Sequence, residues 1–352
     1  MPRPDFPRPP FSYRPLSEAV RGVDALALAF SFSLRSSRTT EAARETPDTS
    51  EERVPRGASG ALRPWVAVAL GGISFGCAKV PPPKFPAPSA TELVQEARKG
   101  MACGTGIQAQ ASIDAFGKEG RVRGDMMLLA SAPDRMRMDV VVPFGAAVMT
   151  LTSDGKTFAL ADLREKAFFR GDPTPCNIAR FTHVALPGHV LVSLLRGEVP
   201  RLAGEREPSE FAWNSKGYYT VTRMSPSRSR ETIHLGVHPD DVAKPWGQQR
   251  FRLLHVDVSR QGRTEWEADL DEYASAPMAT PRIDPEGIDA PLPPSGPVCT
   301  AEAPRRLHLQ VPETDSDVRV RYREVTWNPP LPEEVFEQAT PDAMTERWVR
   351  CF

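Results

Sequence analysis

Residues 135–142 read Arg-Met-Arg-Met-Asp-Val-Val-Val, and this stretch decides the fold. Its apolar side chains recur at every second position, and three of the positions between them are charged. Successive side chains of a β-strand point to opposite faces, so the stretch predicts a strand with one buried and one solvated face. Such one-sided strands are typical of antiparallel sheets.

Four other segments show the same alternation of apolar and charged residues. Their apolar positions are Val122, Met126 and Leu128; Thr264, Trp266, Ala268 and Leu270; Leu307, Leu309 and Val311; and Val318, Val320 and Tyr322. Turn-forming residues at 116–120, 153–156, 214–217 and 260–263 separate runs that could pair as hairpins. We expect a mainly β (α+β) protein of about ten to eleven strands in one curved antiparallel meander.

Helices are predicted in three places. Ser89–Arg98 has a capping box, with Glu92 three residues after Ser89. Segments 172–186 and 189–195 form a helical interlude, and Gly197 is its expected C-cap. A short helix is expected from Pro332 and includes Val335 and Phe336, whereas residues 277–300 read as a proline-rich, acidic loop insertion.

The charge balance bears on the choice of partner. The chain has 352 residues, 44 basic and 45 acidic, and a net charge of -1. Nucleic-acid binding needs a strongly basic face, so we expect no nucleic-acid partner.

Whether the cysteines form disulfides depends on the redox state of the compartment. Cys77 stands apart from Cys103, Cys176, Cys299 and Cys351, which could form two disulfides in any of three connectivities or remain buried thiols. None of the five has zinc-ligand spacing, so we expect no metal.

An export signal is predicted before Cys77. Residues 65–76 are uncharged and mostly apolar, follow Arg56 and Arg63, and are too few to span a bilayer. Residues 73–77, Ile-Ser-Phe-Gly-Cys, resemble a lipobox, although Ser74 occupies the position where leucine is common. That resemblance implies lipidation of Cys77, and a buried helix that ends in an ordinary cysteine is the alternative.

The expected organisation has four parts. Residues 1–53 are a non-native or disordered extension, 54–77 the lipoprotein signal segment, 78–88 a proline-rich tether, and 89–352 the β domain. The true start codon is expected near Val54. Ala78 rather than Asp follows the cysteine, which by resemblance to enteric sorting rules allows anchoring in the outer membrane, facing the periplasm.

Three segments together resemble the LolA/LolB lipoprotein-carrier superfamily, in its uncharacterised bacterial branch. They are the hairpin that ends in Pro143-Phe144-Gly145, the stretch from Leu186-Pro187 through an apolar helix to Pro200, and the closing residues 331–336. The resemblance covers residues 105–200 best and loosens from Arg201 onward. It implies a half-open antiparallel β-barrel with lid helices over an apolar cavity that binds acyl chains, such as palmitate, of lipids or lipoproteins.

The expected wall of that cavity is rich in methionine, which is flexible and adapts to varied chains. An alternating stripe of methionines is equally expected of ordinary core filling. The predicted ligand-binding residues are Met126, Leu128, Met136, Met138, Val140, Val142, Met149, Phe158, Leu191, Leu195 and Trp266.

Catalysis is not predicted. The six histidines form no HExxH motif, and the chain has no GxSxG elbow and no phosphate-binding glycine loop. We therefore expect no catalytic residues and no cofactor, and a hydrolase is only a third choice.

The leading hypothesis is a non-catalytic carrier or acceptor in outer-membrane lipoprotein localisation, held to the membrane by its N-terminal lipid. The alternative is a scaffolding envelope lipoprotein with a filled core that acts through a protein partner.

Overall fold

The computed structural model describes residues 79–117, 120–141, 147–208, 210–226, 228–283, 287 and 290–350, without the side chains of 180, 181 and 333. The chain divides after Cys77 into two compact units, and the described residues belong to the second. Cys77, Val142, Cys351 and the segments 1–53 and 54–77 lie outside this description, as do residues 118 and 119 of the predicted turn and all of Pro143-Phe144-Gly145. The predicted domain boundaries remain predictions.

Three α-helices and sixteen strands make up the described part of the chain. The helices are α1 (Ala90–Met101), α2 (Pro175–Thr182) and α3 (Gly188–Arg196). The strands are β1 (Gly106–Gly117), β2 (Gly120–Ser131), β3 (Arg135–Val141), β4 (Ala147–Ser153), β5 (Phe158–Asp162), β6 (Ala167–Gly171), β7 (Glu210–Asn214), β8 (Tyr218–Met224), β9 (Ser229–Val237), β10 (Phe251–Arg260), β11 (Arg263–Asp271), β12 (Ala274–Ser275), β13 (Glu302–Ala303), β14 (Arg306–Val311), β15 (Ser316–Trp327) and β16 (Thr345–Trp348). Short 3₁₀ turns lie at Pro239–Asp241, Trp246–Gln248, Pro312–Thr314 and Glu333–Phe336.

Fourteen strands form one large, curved, unclosed sheet. Their order is β16-β6-β5-β4-β3-β2-β1-β15-β14-β11-β10-β9-β8-β7, and β12 pairs with β13 in a separate ribbon. The sheet is therefore two antiparallel meanders joined where β1 pairs with β15, as in Ile113 with Val320. β16 pairs in parallel with β6.

These findings correct two predictions. The structure has more strands than the ten to eleven expected. Part of the difference comes from β12, β13 and β16, which contain only two to four residues and are too short to show alternation. The sheet is also neither one continuous meander nor wholly antiparallel, since β1 pairs with a distant strand and β16 is parallel to its neighbour. The predicted mainly β, curved, half-barrel-like sheet is confirmed.

The five alternating segments lie in β2, β3, β11, β14 and β15. Met136, Met138 and Val140 of β3 are buried, whereas Arg135, Arg137 and Asp139 are only partly buried. The sheet thus has an apolar face, on which the core lies, and a polar face of ion pairs.

The helices agree with their predicted positions. The hydroxyl of Ser89 accepts a hydrogen bond from the backbone N–H of Glu92 at the start of α1, and Gly197 ends α3 with a φ of 77°. The residues after Pro332 form a 3₁₀ turn rather than an α-helix. Within the described residues, no helix combines the length and apolarity needed to cross a bilayer.

A disulfide joins Cys103, just after α1, to Cys299 in the loop 277–300. Asn328 fastens the same loop to the end of β15: its amide donates to the carbonyls of Cys103 and Pro297, and its Oδ1 accepts from the backbone N–H of Gly106. The long insertion is therefore fixed at its C-terminal end. Cys176 is also disulfide-bonded.

Candidate functional site

The candidate site is the apolar layer between α3 and the sheet. α3 packs on β2 and β3, and six of its nine residues are buried. A Cβ added to Gly188 would lie 3.5 Å from the Cε of Met136, so the helix begins above β3. The Tyr322 hydroxyl donates to the carbonyl of Leu195 at 3.0 Å, so the helix ends above β15.

A few polar contacts hold the two ends of α3. Arg196 donates from Nε to the carbonyl of Gly104 at 2.6 Å and pairs with Glu198 at 3.1 Å. Burial lowers the pKa of Arg196, partly against the charge of Glu198, because a buried guanidinium loses its hydration. At the other end, His189 Nε2 bonds to the carbonyl of Arg201 at 3.0 Å. Between these ends, α3 is held by apolar contacts.

The segment that follows α3 is pinned by a buried network of arginines and glutamates. Arg98 of α1 donates to the carbonyls of Val199 and Pro200, and Arg223 of β8 also donates to Pro200. Arg98 and Arg223 both pair with Glu205, and Arg223 forms an ion pair with Glu231. Burial raises the pKa of Glu231, since desolvation disfavours its charged form. α3 is thus bounded by a rigid connection on its C-terminal side.

Most of the predicted ligand-binding residues come together in this layer. Met126 is paired with Val140, Leu128 with Met138, and Val140 with Met149. Leu191 and Leu195 face them from α3. Ten of the eleven predicted residues are described, and all ten belong to one buried cluster: Met126, Leu128, Met136, Met138, Val140, Met149, Phe158, Leu191, Leu195 and Trp266.

Trp266 does not lie beside the methionines. It is on β11, and the strands β14, β15 and β1 separate β11 from β2. At the usual spacing of neighbouring strands, this places Trp266 roughly 19 Å from the methionine strands. It therefore belongs to the apolar layer of the second meander.

The layer is filled by its own side chains. The ten described residues are between 0 and 8% exposed, with Leu128, Met136 and Phe158 at 0%. A ligand in this layer would have to displace α3 or some of these side chains.

The opposite, polar face of the sheet carries two recesses, of about 260 Å³ and about 910 Å³. The larger spans β1, β2, β10, β11, β14 and β15. Its polar lining includes Asp114, Arg123, Asp269, Arg306, Arg319 and Arg321. Asp114 accepts from both Arg121 and Arg123, and these hydrogen bonds hold its pKa well below the ordinary range. The recess is therefore lined by charges of both signs and is not a purely basic surface.

A row of aromatic and histidine rings crosses this face. The ring of Tyr218 stacks on His234 with centroids 4.4 Å apart, and His234 stacks on His255 at 4.8 Å. His255 Nδ1 lies 2.7 Å from Asp269. Burial lowers the pKa of His234 to about 4, whereas the hydrogen bond to Asp269 raises the pKa of His255. Within the described ranges, no three or more His, Cys, Asp or Glu side chains are grouped to hold a metal ion.

Several solved structures align with most of this chain. A LolA superfamily protein from Nitrosomonas europaea aligns over 72% of this chain and 99% of its own length, at 9% identity and a TM-score of 0.44. A domain named for outer membrane lipoprotein sorting, from Vibrio parahaemolyticus, aligns over 69% and 95%, at 8% identity and a TM-score of 0.41. A DUF1329 family protein from Desulfovibrio piger aligns over 70% and 97%, at 9% identity and a TM-score of 0.44.

The first of these structures is named for the superfamily that the three sequence segments resemble. No family model matches the chain, and no curated protein matches its sequence.

Sequence reasoning did not identify the polar recess. The alternation of charges correctly marked Arg319 and Arg321 as a solvated face, but that pattern is the same on a flat surface and in a recess. The cross-strand neighbours His234, His255 and Asp269 come from three strands, and only the register brings them side by side.

Proposed function

We propose that this protein is a non-catalytic binding protein for the acyl chains of lipids or lipoproteins in the cell envelope. The observation that carries this proposal is the cover formed by α3. This short helix buries six residues against a methionine-lined part of the sheet and has few polar contacts, mostly at its ends. In this proposal, the packed position of α3 is called the closed state, and a ligand binds when α3 moves away from the sheet.

The energetics favour exchange of α3 for an acyl chain. Each buried CH₂ contributes about 0.8 kcal/mol, so a long chain can replace the apolar contacts that Leu191 and Leu195 make in the closed state. Methionine side chains can adjust to a flexible chain with little strain.

A binding measurement with cavity variants tests this proposal. The closed position of α3 competes with the ligand, and Leu191→Ala weakens that closed position. The apparent affinity for palmitate should therefore rise about tenfold for each 1.4 kcal/mol by which the variant destabilises the closed state. Leu253→Ala is the matched control, because Leu253 is equally buried but lies on β10. Titration with a fluorescent palmitate analogue and mass spectrometry of co-purifying lipids supply the readouts. Absence of bound lipid together with no palmitate binding in any variant would contradict the proposal.

We further propose that the protein is anchored through diacylglycerol on Cys77, in the outer membrane facing the periplasm. The support is the order of basic residues, apolar run, small residues and cysteine before Ala78. Radiolabelled palmitate should label the wild-type protein in cells and should not label Cys77→Ser. Equal labelling of both would exclude this anchor.

A second candidate function is binding of an envelope protein through the polar face. It is favoured by the filled apolar layer and by the recess of about 910 Å³ on the other face. The double variant Arg319→Glu/Arg321→Glu would then lose a cross-linked partner while palmitate binding stays absent. Cross-linking in cells followed by mass spectrometry distinguishes the two functions.

A further inference from the structure

The β7 end of the sheet carries a group of exposed apolar and basic side chains. β7 is the last strand in the sheet order, and segment 79–88 forms hydrogen bonds with residues of β7, β8 and the turn between them. The backbone N–H of Val80 donates to the carbonyl of Ser215, and Trp213 Nε1 donates to the carbonyl of Val80. Segment 79–88 therefore contacts the folded domain at the β7–β8 turn.

The same end of the sheet includes the loop between β9 and β10. Tyr218 at the start of β8 pairs with Gly236 near the end of β9, so the β7–β8 turn and the β9–β10 loop share one end. Gln249 joins this loop to segment 79–88, since its amide donates to the carbonyls of Phe85 and Lys244 at 2.8 and 2.9 Å.

We define the tether patch as the apolar side chains of this end and the lysines around them. Val80, Phe85 and Phe211 are 44, 41 and 37% exposed, and Trp213 is half-buried beside them. The patch consists of Val80, Phe85, Phe211, Trp213, Lys79, Lys84 and Lys216.

The aromatic members of the patch are held rigidly from below. Tyr219 stacks with Phe211 at 5.8 Å, meets Trp213 edge-on at 4.9 Å, and accepts a hydrogen bond from the backbone of Ala87. When a rigid aromatic surface enters an interface, little side-chain conformational entropy is lost.

The basic residues of the patch are all lysines. The chain has only eight lysines among its 44 basic residues, yet three of them are exposed here. Two acids near the patch are paired: Asp241 with Lys244 and Arg250, and Glu210, next to Phe211, with Arg230. Asp240 of the β9–β10 loop is exposed and lies 3.7 Å from His238. Exposed lysines around aromatic side chains are typical of a surface that meets anionic lipid headgroups.

The position of the patch along the chain supports the same occupant. Cys77 precedes Val80 by three residues, and an extended chain reaches at most about 3.6 Å per residue, so a lipid on that sulfur would hold Val80 within roughly 11 Å of the membrane. We propose that the tether patch lies on the surface of an anionic phospholipid bilayer, so that the domain is oriented with its β7 end toward the membrane. This inference uses the proposed anchor but does not depend on acyl-chain binding under α3.

Quenching of tryptophan fluorescence by brominated lipids tests the proposal. The full-length, membrane-isolated protein is reconstituted in vesicles of phosphatidylethanolamine and phosphatidylglycerol with brominated acyl chains. Trp213→Phe should lose a distinct part of the quenching. Trp348→Phe is the matched control, because Trp348 is 54% exposed on β16, at the opposite edge of the sheet, and should leave the quenching unchanged.

Charge-reversal variants test the role of the lysines. Lys79→Glu/Lys84→Glu/Lys216→Glu should abolish the quenching that depends on Trp213, whereas Lys99→Glu/Lys156→Glu/Lys166→Glu, which reverses three exposed lysines elsewhere, should not. The proposal is overturned if Trp348→Phe removes the quenching instead, or if neither tryptophan variant changes it. Loss of palmitate binding with intact Trp213 quenching would refute only the function under α3, and the converse result would refute only the patch.

Discussion

At the scale of single residues, two stacked histidines have opposite protonation behaviour. His234 and His255 start from the same ordinary value of 6.5, but burial and then the charge of His255 lower the pKa of His234 to about 4. The hydrogen bond to Asp269 raises the pKa of His255. The neighbouring rings therefore differ in charge over the range between the two values, and the pair avoids like-charge repulsion.

These shifts predict how stability depends on pH. The unfolded chain protonates His234 near pH 6.5, but the folded protein does so only near pH 4, so the stability linked to His234 is complete above pH 6.5 and is lost as the pH falls toward 4. His234→Phe keeps the stack on Tyr218 without the titration. It should lose less stability than the wild type between pH 6.5 and 4, as measured by urea unfolding.

His255 provides the control of opposite sign. Because its folded-state pKa is raised, its contribution is complete below pH 6.5 and declines as the pH rises through the raised value. His255→Gln should therefore differ from the wild type mainly at the acidic end. Identical pH profiles for the wild type and His234→Phe would contradict the assigned shift.

At the scale of elements, turn residues set the ends of helices and hairpins. Gly197 at the end of α3 and Gly262 in the β10–β11 turn both have a φ of 77°, but their surroundings differ. A Cβ on Gly197 would lie 2.8 Å from Cδ of Pro304, whereas a Cβ on Gly262 has nothing within 4 Å.

This pair isolates the contact that fixes the end of α3. Gly262→Ala should cost about 1–2 kcal/mol, the strain of a left-handed residue alone. Gly197→Ala should cost more, because Pro304 must also move. Urea unfolding of both variants gives the comparison, and equal losses would show that Pro304 yields without resistance.

The strands that could be predicted from the sequence are those with one solvent-exposed face. β2, β3, β11, β14 and β15 alternate because one side meets solvent. β16, with all four residues exposed, has no such signal. The methionines of β2, β3 and β4 lie together because these strands follow one another in the chain and pair as neighbours. The separation of Trp266 from them depends on the pairing of β1 with β15, which no local pattern encodes.

At the scale of the whole molecule, the disulfide Cys103–Cys299 spans a sequence separation of 196 residues. A crosslink over so long a loop restricts the unfolded chain, and its loss should cost up to about 5 kcal/mol. The double variant Cys103→Ser/Cys299→Ser should unfold at a lower urea concentration than the oxidised wild type.

Reductant supplies the control for this measurement. Cys176 is also disulfide-bonded, so adding reductant to the double variant reports the remaining bond alone. An unchanged midpoint for the double variant would mean that the contacts of Asn328 fix loop 277–300 without the crosslink.

The pairing of β1 with β15 has a consequence for biogenesis. One edge of β1 can pair as soon as the next strand, β2, has been synthesised. Its other edge stays unpaired until β15, near the C-terminus, has been made. An unpaired strand edge can associate with other chains. During synthesis, the first half of this protein therefore has an unpaired, aggregation-prone strand edge until β15 has been made. Variants that slow the synthesis or folding of the C-terminal half should be degraded or aggregate before the stability of the folded protein is affected.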